Sequence, residues 1–299
     1  MPAPALEPLL EWGRSLGLTE DPEKVAQPPW STTARVGSTW LKACSRGGRY
    51  EAGLLGALLW WGVPHTVLPL AVDAARGYVA LPDAGTQLRG LEGGVDRWPV
   101  LLAEHAELQR HLQPHADDAL ALGVPDLRPE QLPGELDALV ARTAVPDDVR
   151  RALDAVLPEL TDRCAALAAG PIAPAVQHDD LHDGNVLVDD TGTARLIDWG
   201  DSAVAHPFGV LLVTLRSVQH RAGLDDAALS RLQDAYLEPW TDLADRSSLR
   251  ELAGHAQRVQ SIGRALSWER ALLDADDAER ATYGDPVIDW LEVVAGLED

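Results

Sequence analysis

The chain has 299 residues and a formal net charge of −22, from 47 acidic and 25 basic side chains. Such a charge repels phosphate backbones and anionic lipid, so nucleic acid and membrane are excluded as expected partners. With 46% hydrophobic residues the chain is globular, and its length exceeds what one core usually supports, which predicts two lobes that meet at a cleft.

Two further features bear on the compartment. Cys44 and Cys164 are far apart and match no metal-ligand spacing, which is typical of free thiols in a reducing cytoplasm. The amino terminus lacks the pattern of a signal peptide, and the longest apolar run, residues 53–63, is too short to span a bilayer. We therefore expect a cytoplasmic protein that is a monomer or a homodimer.

The first part of the chain combines helical and strand patterns. Apolar positions recur at helical spacing in two segments, and short β-like runs with turn residues between them occupy the rest. The predicted elements are a helix over 5–17, a hairpin of strands 32–36 and 39–44, a helix over 50–61 and a strand within 77–85.

Most of the remaining chain has helical periodicity, with Pro and Gly between the segments. The predicted helices are about 99–111, 129–142, 146–168, an apolar helix that opens at His206, 225–237, 247–274 and 285–296. His105, His111 and His115 fall among solvated charges in this part. They are predicted to be surface histidines rather than metal ligands.

Residues 176–201 depart from this helical pattern. Val186–Val188 and 194–197 are short apolar runs on either side of an Asp-Asp-Thr-Gly-Thr turn, which predicts a β-hairpin. His178-x-Asp180 and Asn185 precede the hairpin, and Asp198-x-Gly200 follows it directly. Polar groups therefore crowd both ends of one hairpin.

These residue types suit phosphoryl transfer. That reaction needs a carboxylate to accept the proton of the attacking hydroxyl and oxygen ligands for the cations that bridge the phosphates. Asp180 is the expected base, and Asn185 and Asp198 are the expected metal ligands. Asn185 is the one Asn of the sequence, which favours a position where chemistry excludes substitutes.

A metal-dependent hydrolase is an alternative that uses His178-x-x-x-His182 as a ligand pair. That spacing suits one face of a helix. Asp183-Gly184 breaks a helix at this point, however, and no glutamate lies between the histidines to act as a base. No chemical role is assigned to either histidine.

The sequences at 178–187, His-Asp-Asp-Leu-His-Asp-Gly-Asn-Val-Leu, and at 196–201, Leu-Ile-Asp-Trp-Gly-Asp, resemble the catalytic and metal-binding loops of the aminoglycoside phosphotransferase family, which is related to the protein kinases. The resemblance implies a bilobal α+β fold, and it implies that His178, two residues before Asp180, braces its loop by hydrogen bonding. The small β-rich amino lobe would span residues 1–82, and the larger helical carboxyl lobe residues 83–299. Position 179 departs from the family, because it holds Asp where Gly is usual.

The resemblance also implies ATP and Mg²⁺ as cofactors. Lys42, on the third strand, would contact the α- and β-phosphates, and Glu51, in the first turn of the next helix, would hold Lys42 in place. No Gly-x-Gly-x-x-Gly is present; residues 28–32 would form the corresponding turn, where Ser31 would meet a phosphate. In the hinge, Pro82 would offer a carbonyl and Ala84 an N–H to adenine.

The implied acceptor is the hydroxyl of a small molecule, either an aminoglycoside-like compound or another antibiotic or amino sugar. A cationic acceptor would suit the acidic chain, although acidic surfaces also serve solubility alone. Asp201, Trp268 and Glu269 are candidate acceptor contacts. The alternatives are a kinase of choline, homoserine or a sugar, and a pseudokinase that binds nucleotide without transferring phosphate.

Overall fold

A computed structural model describes residues 4–297. An antiparallel sheet occupies the amino-terminal part, and the rest is mostly helical, so the predicted α+β class is confirmed. The division of the lobes after residue 82 stays a prediction, and residues 1–3 and 298–299 of those lobes lie outside the described residues.

The amino-terminal part contains one five-stranded sheet in the order β1-β2-β3-β5-β4. The predicted hairpin is present as β2 and β3, while β1 and β4 lack a clear signal in the sequence because each is three residues long. The elements are α1 (Leu6–Ser15), β1 (Lys24–Ala26), β2 (Ser31–Val36), β3 (Thr39–Cys44), α2 (Tyr50–Trp60), β4 (Ala71–Asp73) and β5 (Tyr78–Pro82).

Helix α1 covers one face of this sheet. Its buried side chains Leu9 and Trp12 pack with Leu41 of β3 in a small apolar cluster. Gly13 permits that approach, because a Cβ atom there would lie 2.6 Å from Leu41 Cδ1. The opposite face of β3 is thereby left free to present Lys42, since side chains alternate along a strand.

The carboxyl-terminal part consists of helices and short strands. The predicted helices are present, and α4, α10 and strands of two or three residues are additional. The elements are β6 (Thr86–Gln87), α3 (Trp98–Leu112), α4 (Ala116–Ala121), β7 (Asp126–Leu127), α5 (Leu132–Arg142), α6 (Asp147–Ala169), β8 (Ala175–Gln177), β9 (Val186–Val188), β10 (Ala194–Leu196), β11 (Ala203–Ala205), α7 (Leu211–Ala222), α8 (Asp226–Leu237), α9 (Arg246–Ala271), α10 (Asp277–Tyr283) and α11 (Pro286–Ala295).

Two three-stranded sheets position the polar stretch of residues 178–201. The predicted hairpin is present as β9 and β10, with Val186 opposite Leu196, and β6 pairs with the other edge of β9. Strand β8 ends at Gln177 and lies beside β11. The loop between β8 and β9 and the loop after β10 are therefore both anchored at strand ends.

Helix α9 lies at the centre of the helical part. Every residue from Val259 to Ser267 is buried, so the helix is surrounded on all sides at that level. His105 of α3 is buried as well, with 2% exposure, and the prediction of a surface histidine is wrong for this residue. The charged residues near it in the sequence concealed its place among the buried residues of α3, which include Leu102, Ala106 and Leu108. No helix within residues 4–297 is long and apolar enough to cross a membrane.

Phe208, the one phenylalanine of the chain, supplies the first stability prediction. It is fully buried, with its ring centroid 5.3 Å from that of Trp240 and 5.7 Å from that of Tyr236. Phe208→Ala should lower the free energy of unfolding by about 3–5 kcal/mol, because it removes buried area and leaves a cavity. Urea denaturation measures the loss. Val100→Ala, at an exposed site, is the control, and equal effects of the two substitutions would contradict the packing described.

Candidate active site

The loop after β8 and the end of the hairpin are tied together by hydrogen bonds. His178 Nε2 donates to the carbonyl oxygen of Ile197 at 2.8 Å, and the Ile197 N–H donates to the carbonyl of Asn185 at 3.0 Å. His178 is fully buried and burial lowers its pKa, so the ring is neutral. This is the bracing arrangement expected for His178. These hydrogen bonds fix Asp198, the residue after Ile197, against the loop that follows β8.

Asp180 and Asn185 meet across the turn of that loop. The Asn185 side-chain amide donates to the carbonyl oxygen of Asp180 at 2.9 Å and to its carboxylate at 3.2 Å. These bonds occupy the amide N–H groups and leave the Asn185 Oδ1 atom available. The five-residue spacing thus gives a carboxylate and a neutral amide oxygen side by side.

Lys42 lies between two carboxylates. Its ammonium group is 2.6 Å from Glu51 Oε2 and 2.6 Å from Asp198 Oδ1, so the predicted ion pair with Glu51 is present. Lys42 lowers the pKa of Asp198, which therefore stays ionised. Asp198 has a left-handed backbone with φ of 64°, which turns its side chain toward Lys42. The site accordingly joins the sheet to the hairpin.

Two cavities meet at these three residues, since Lys42, Glu51 and Asp198 line both. The sheet-side cavity has a volume of about 490 Å³ and is walled by strands of the large sheet and by Leu187 and Ile197. The helix-side cavity has a volume of about 370 Å³ and reaches from Asp180 to the end of α9. Ligand sites of this size are common.

The sheet-side cavity contains most of the expected nucleotide contacts. Ser31 and Pro82 line it, together with apolar side chains such as Leu81. Ala84 instead lines a separate open groove on the outer side of the hinge. The Asp83 N–H, a neighbouring donor, is bonded to the carbonyl of Ser38 at 2.8 Å. The expected role of Ala84 as adenine donor stays a prediction.

The helix-side cavity contains two of the three expected acceptor contacts. Asp201 and Trp268 line it. Glu269 does not, because both of its carboxylate oxygens bind Arg142, at 2.5 and 2.7 Å. Arg142 is the last residue of α5, so this pair directs the Glu269 side chain toward α5. We therefore leave Glu269 out of the acceptor contacts proposed below.

Arg264 of α9 is a site residue that the sequence analysis missed. It is 5% exposed and lies 3.3 Å from Asp180 Oδ1 and 3.4 Å from Asp201 Oδ2. Burial raises the pKa of Asp180, but Arg264 and His182 lower it more, so the carboxylate is ionised. The sequence does contain a signal for this residue, because Arg264 is the one charged residue among the apolar and small residues 261–267. A charge buried in such a segment requires partners.

Asp179, the departure from the family pattern, lies directly behind this pair. It is fully buried with φ of 61°, and its Oδ1 atom accepts hydrogen bonds from Gln177 at 2.8 Å and Gln260 at 2.7 Å. Its carbonyl oxygen accepts one from Arg264 at 3.0 Å. Asp179 therefore helps to hold Arg264 against Asp180, in a backbone conformation that suits Gly better.

His182 borders the helix-side cavity. Its Nδ1 atom accepts a hydrogen bond from the Gly184 N–H at 3.0 Å, so the ring proton of the neutral form lies on Nε2. That nitrogen is 3.4 Å from Asp180 Oδ2. His178 is directed to Ile197 instead, and the structure does not bring the two histidines together as a ligand pair.

The oxygen atoms at the junction of the two cavities suit magnesium as ligands. Mg²⁺ binds one or two protein oxygen ligands and completes its shell with phosphate oxygens and water. The Asn185 Oδ1 atom and the Asp198 carboxylate are such a pair, and both line the helix-side cavity. Within residues 4–297 no cluster of three or more His, Cys, Asp or Glu side chains is arranged for a metal ion. Any metal here would thus depend on a ligand that supplies further oxygens.

A family model matches residues 53–252 of the chain, more than half of its length, and is described as the APH phosphotransferase enzyme family. The matched segment includes Asp180, Asn185 and Asp198, and it excludes Lys42 and Arg264. No curated protein sequence matches the chain significantly.

Solved structures show the same fold over nearly all of the chain. Choline kinase LicA from Streptococcus pneumoniae is 15% identical with a TM-score of 0.63, covering 98% of both chains. The aminoglycoside phosphotransferase APH(3'')-Id from Streptomyces rimosus is 19% identical with a TM-score of 0.57, covering 87% of this chain and 99% of its own. Amicoumacin kinase hAmiN, in complex with AMP-PNP, Ca²⁺ and Ami, is 13% identical with a TM-score of 0.61, covering 96% and 93%. At these identities the likeness shows the bilobal kinase-like fold.

The buried carboxyl of Asp179 predicts a dependence of stability on pH. Burial raises its pKa to about 7, whereas the pKa of an exposed Asp is about 4. The folded state therefore binds the proton more tightly than the unfolded state, and this residue's contribution to the free energy of unfolding falls as pH rises from about 4 to about 7. Asp179→Asn removes that titration, and Asn tolerates a left-handed backbone.

Urea denaturation of wild type and Asp179→Asn at several pH values from 4 to 7 measures the effect. The difference in unfolding free energy should move in favour of the variant as pH rises, by up to about 4 kcal/mol. Asp190→Asn, at an exposed position of the hairpin turn, is the matched control. A difference for Asp179→Asn that stays constant over this pH range would contradict a pKa raised by burial at Asp179.

Proposed function

Since this chain belongs to the phosphotransferase enzyme family, we propose that it transfers the γ-phosphate of ATP to a hydroxyl group of a small molecule. One observation carries the proposal: Asp180, Asn185, Asp198 and Lys42 converge where the two cavities join. Reacting groups from two ligands would have to meet at such a junction. A structural neighbour in complex with AMP-PNP and Ca²⁺ supports a nucleotide and a divalent cation as cofactors.

ATP is proposed to occupy the sheet-side cavity. Its adenine would lie between the sheet and Leu187 and Ile197, near the carbonyl of Pro82, and Ser31 would lie near a phosphate. Asn185 and Asp198 would hold Mg²⁺, which neutralises charge on the phosphates. Lys42, which pairs with Asp198 in this structure, would then bind phosphate oxygens while Glu51 keeps it in position.

The acceptor is proposed to enter the helix-side cavity with one hydroxyl facing Asp180. Asp180 would accept the hydroxyl proton as the acceptor oxygen forms a bond to the γ-phosphorus and the bond to the β-phosphate oxygen breaks, which releases ADP. Arg264 and Asn185 hold the carboxylate in place, and Arg264 and His182 keep it ionised. Positioning of this kind is the main contribution of a protein to phosphoryl transfer.

The acceptor class is supported only in outline. The resemblance implies an aminoglycoside-like compound, another antibiotic or an amino sugar, and neighbouring folds include a choline kinase and an aminoglycoside phosphotransferase. A cavity of about 370 Å³ suits a small molecule. The complete set of Lys42, Asp180, Asn185 and Asp198 favours transfer over a pseudokinase, because loss of any one would be the usual sign of inactivity.

The proposal is tested by an ADP-release screen with ATP and Mg²⁺ across aminoglycosides, macrolides, peptide antibiotics, amino sugars, sugars and choline. For the acceptor identified, Asp180→Asn should lower the turnover rate about a hundredfold to ten-thousandfold, since it removes a general base. ATP affinity should change little, because Asp180 is not the proposed metal ligand.

Calorimetric titration with ATP and Mg²⁺ provides the control for nucleotide binding, and Asp190→Asn is the matched substitution at an exposed site. Turnover by Asp180→Asn at the native rate would refute the assignment of the base. Joint loss of ATP binding and stability would identify Asp180 as structural instead.

A further inference from the structure

Two buried polar groups in the helix-side cavity have no partner among residues 4–297. Ser45 is 6% exposed, and its hydroxyl forms no hydrogen bond there. The Nη2 atom of Arg270, near the end of α9, is buried and likewise without a partner. Both residues line the cavity. A buried donor without a partner is costly, so each of these groups suits a ligand that accepts hydrogen bonds.

Backbone packing holds the two groups on the same wall. Gly47 lies directly against the Arg270 backbone, since a Cβ atom at Gly47 would be 2.2 Å from the Arg270 carbonyl oxygen. The turn is closed by a hydrogen bond from the Gly48 N–H to the Ser45 carbonyl at 3.2 Å, and Ser45 N–H is bonded to Trp30 at 2.9 Å. The loop from Ser45 to Gly48 is therefore fixed against the end of α9.

The same wall contains the amino end of a helix. Helix α2 begins at Tyr50, immediately after this loop, and Gly48 and Glu51 line the cavity beside Ser45. The amino end of a helix has a partial positive charge and attracts anions. Glu51, in its first turn, shares Lys42 with Asp198. The helix end lies on the same wall of the cavity as Ser45.

Lys42 and Arg264 are shared by the four carboxylates that line the cavity. Asp201 accepts a hydrogen bond from Ser267 at 2.5 Å and lies 3.4 Å from Arg264, which also contacts Asp180. Asp198 and Glu51 share Lys42. The Arg270 Nη2 atom has no acceptor among residues 4–297.

Aromatic rings border the anion-attracting wall. Trp268, two residues before Arg270, lines the cavity with Trp30, and their ring centroids are 6.0 Å apart with the planes perpendicular. Tyr283 of α10 packs on Trp30 from outside, at 5.1 Å between centroids. An apolar or ring-shaped acceptor body would lie against these rings.

We propose that the acceptor carries an oxyanion, a carboxylate or phosphate group, that binds Arg270 and Ser45 while its hydroxyl faces Asp180. This inference rests on the proposed function and adds the charge of the substrate to it. It departs from the cationic acceptor that the acidic composition favours.

The test uses three alcohols that share one aromatic ring and differ in charge. Phenyllactate is anionic, phenyllactamide is neutral and phenylalaninol is cationic. Their affinities for the full-length protein with AMP-PNP and Mg²⁺ are measured by isothermal titration calorimetry. Phenyllactate should bind about tenfold to a hundredfold more tightly than phenyllactamide, as expected for a hydrogen-bonded charged group. In Arg270→Gln the two should bind within about twofold of each other, and Ser45→Ala should reduce the preference partly.

Arg46→Gln is the matched control, because Arg46 belongs to the same loop, pairs with Asp274 at 3.1 Å and does not line the cavity. It should retain the full preference for phenyllactate. The inference is overturned if phenyllactate does not bind, if the neutral or cationic alcohol binds as tightly, or if the preference survives Arg270→Gln.

A second arm separates the sources of the anion. If Arg270→Gln weakens AMP-PNP binding as much as phenyllactate binding, the pair recognises nucleotide phosphates and the inference is wrong. Charge-selective binding without ADP release by any acceptor would refute the proposed function and leave the oxyanion site standing. Turnover of a cationic acceptor at equal rates in wild type and Arg270→Gln would support the proposed function and refute the oxyanion site.

Discussion

The arrangement of the site depends on the position of one ammonium group. Lys42 lies 2.6 Å from carboxylate oxygens of Glu51 and Asp198. Glu51 belongs to helix α2, and Asp198 follows the hairpin of β9 and β10. Without a cation between them these carboxylates would repel, and the sheet would lose its polar link to the hairpin. Glu51 also accepts a hydrogen bond from the Trp199 N–H at 3.1 Å, so the helix holds both the lysine and the turn after Asp198.

Arg264 has the corresponding role on the helical side. One buried guanidinium contacts the carboxylates of Asp180 and Asp201 and the backbone carbonyl of Asp179, so a single side chain of α9 joins three points of the chain. Buried charges are tolerated when they are paired and hydrogen-bonded, and loss of one partner leaves the others exposed to that cost. Asp179 has a left-handed backbone conformation, and its side chain accepts hydrogen bonds from two glutamine amides. It is therefore part of this network, which a glycine at position 179 could not join through a side chain.

The sequence predicted the parts of the site that are set by local spacing. Asp180 and Asn185 occupy one loop, Asp198 follows a short hairpin and Glu51 lies in the first turn of the helix after β3, so pattern and motif were sufficient. Arg264 and Arg270 belong to α9, far along the chain from that loop. Residues 259–267 of α9 are buried on every side, which hides the amphipathic period, and long-range packing alone brings the two arginines to the cavity. Trp268 and Glu269 were both candidate acceptor contacts, but the pairing of Glu269 with Arg142 depends on how α5 packs against α9.

The most direct test of the central claim is a crystal structure of the protein with AMP-PNP and Mg²⁺. The claim is that Lys42 and Asp198, paired in this structure, exchange partners when nucleotide binds. The expected result is Lys42 on phosphate oxygens, Mg²⁺ between Asp198 and Asn185, and adenine in the sheet-side cavity beside Leu187 and Ile197. Nucleotide bound elsewhere, or Lys42 still paired with Asp198 and no metal on Asn185, would contradict it.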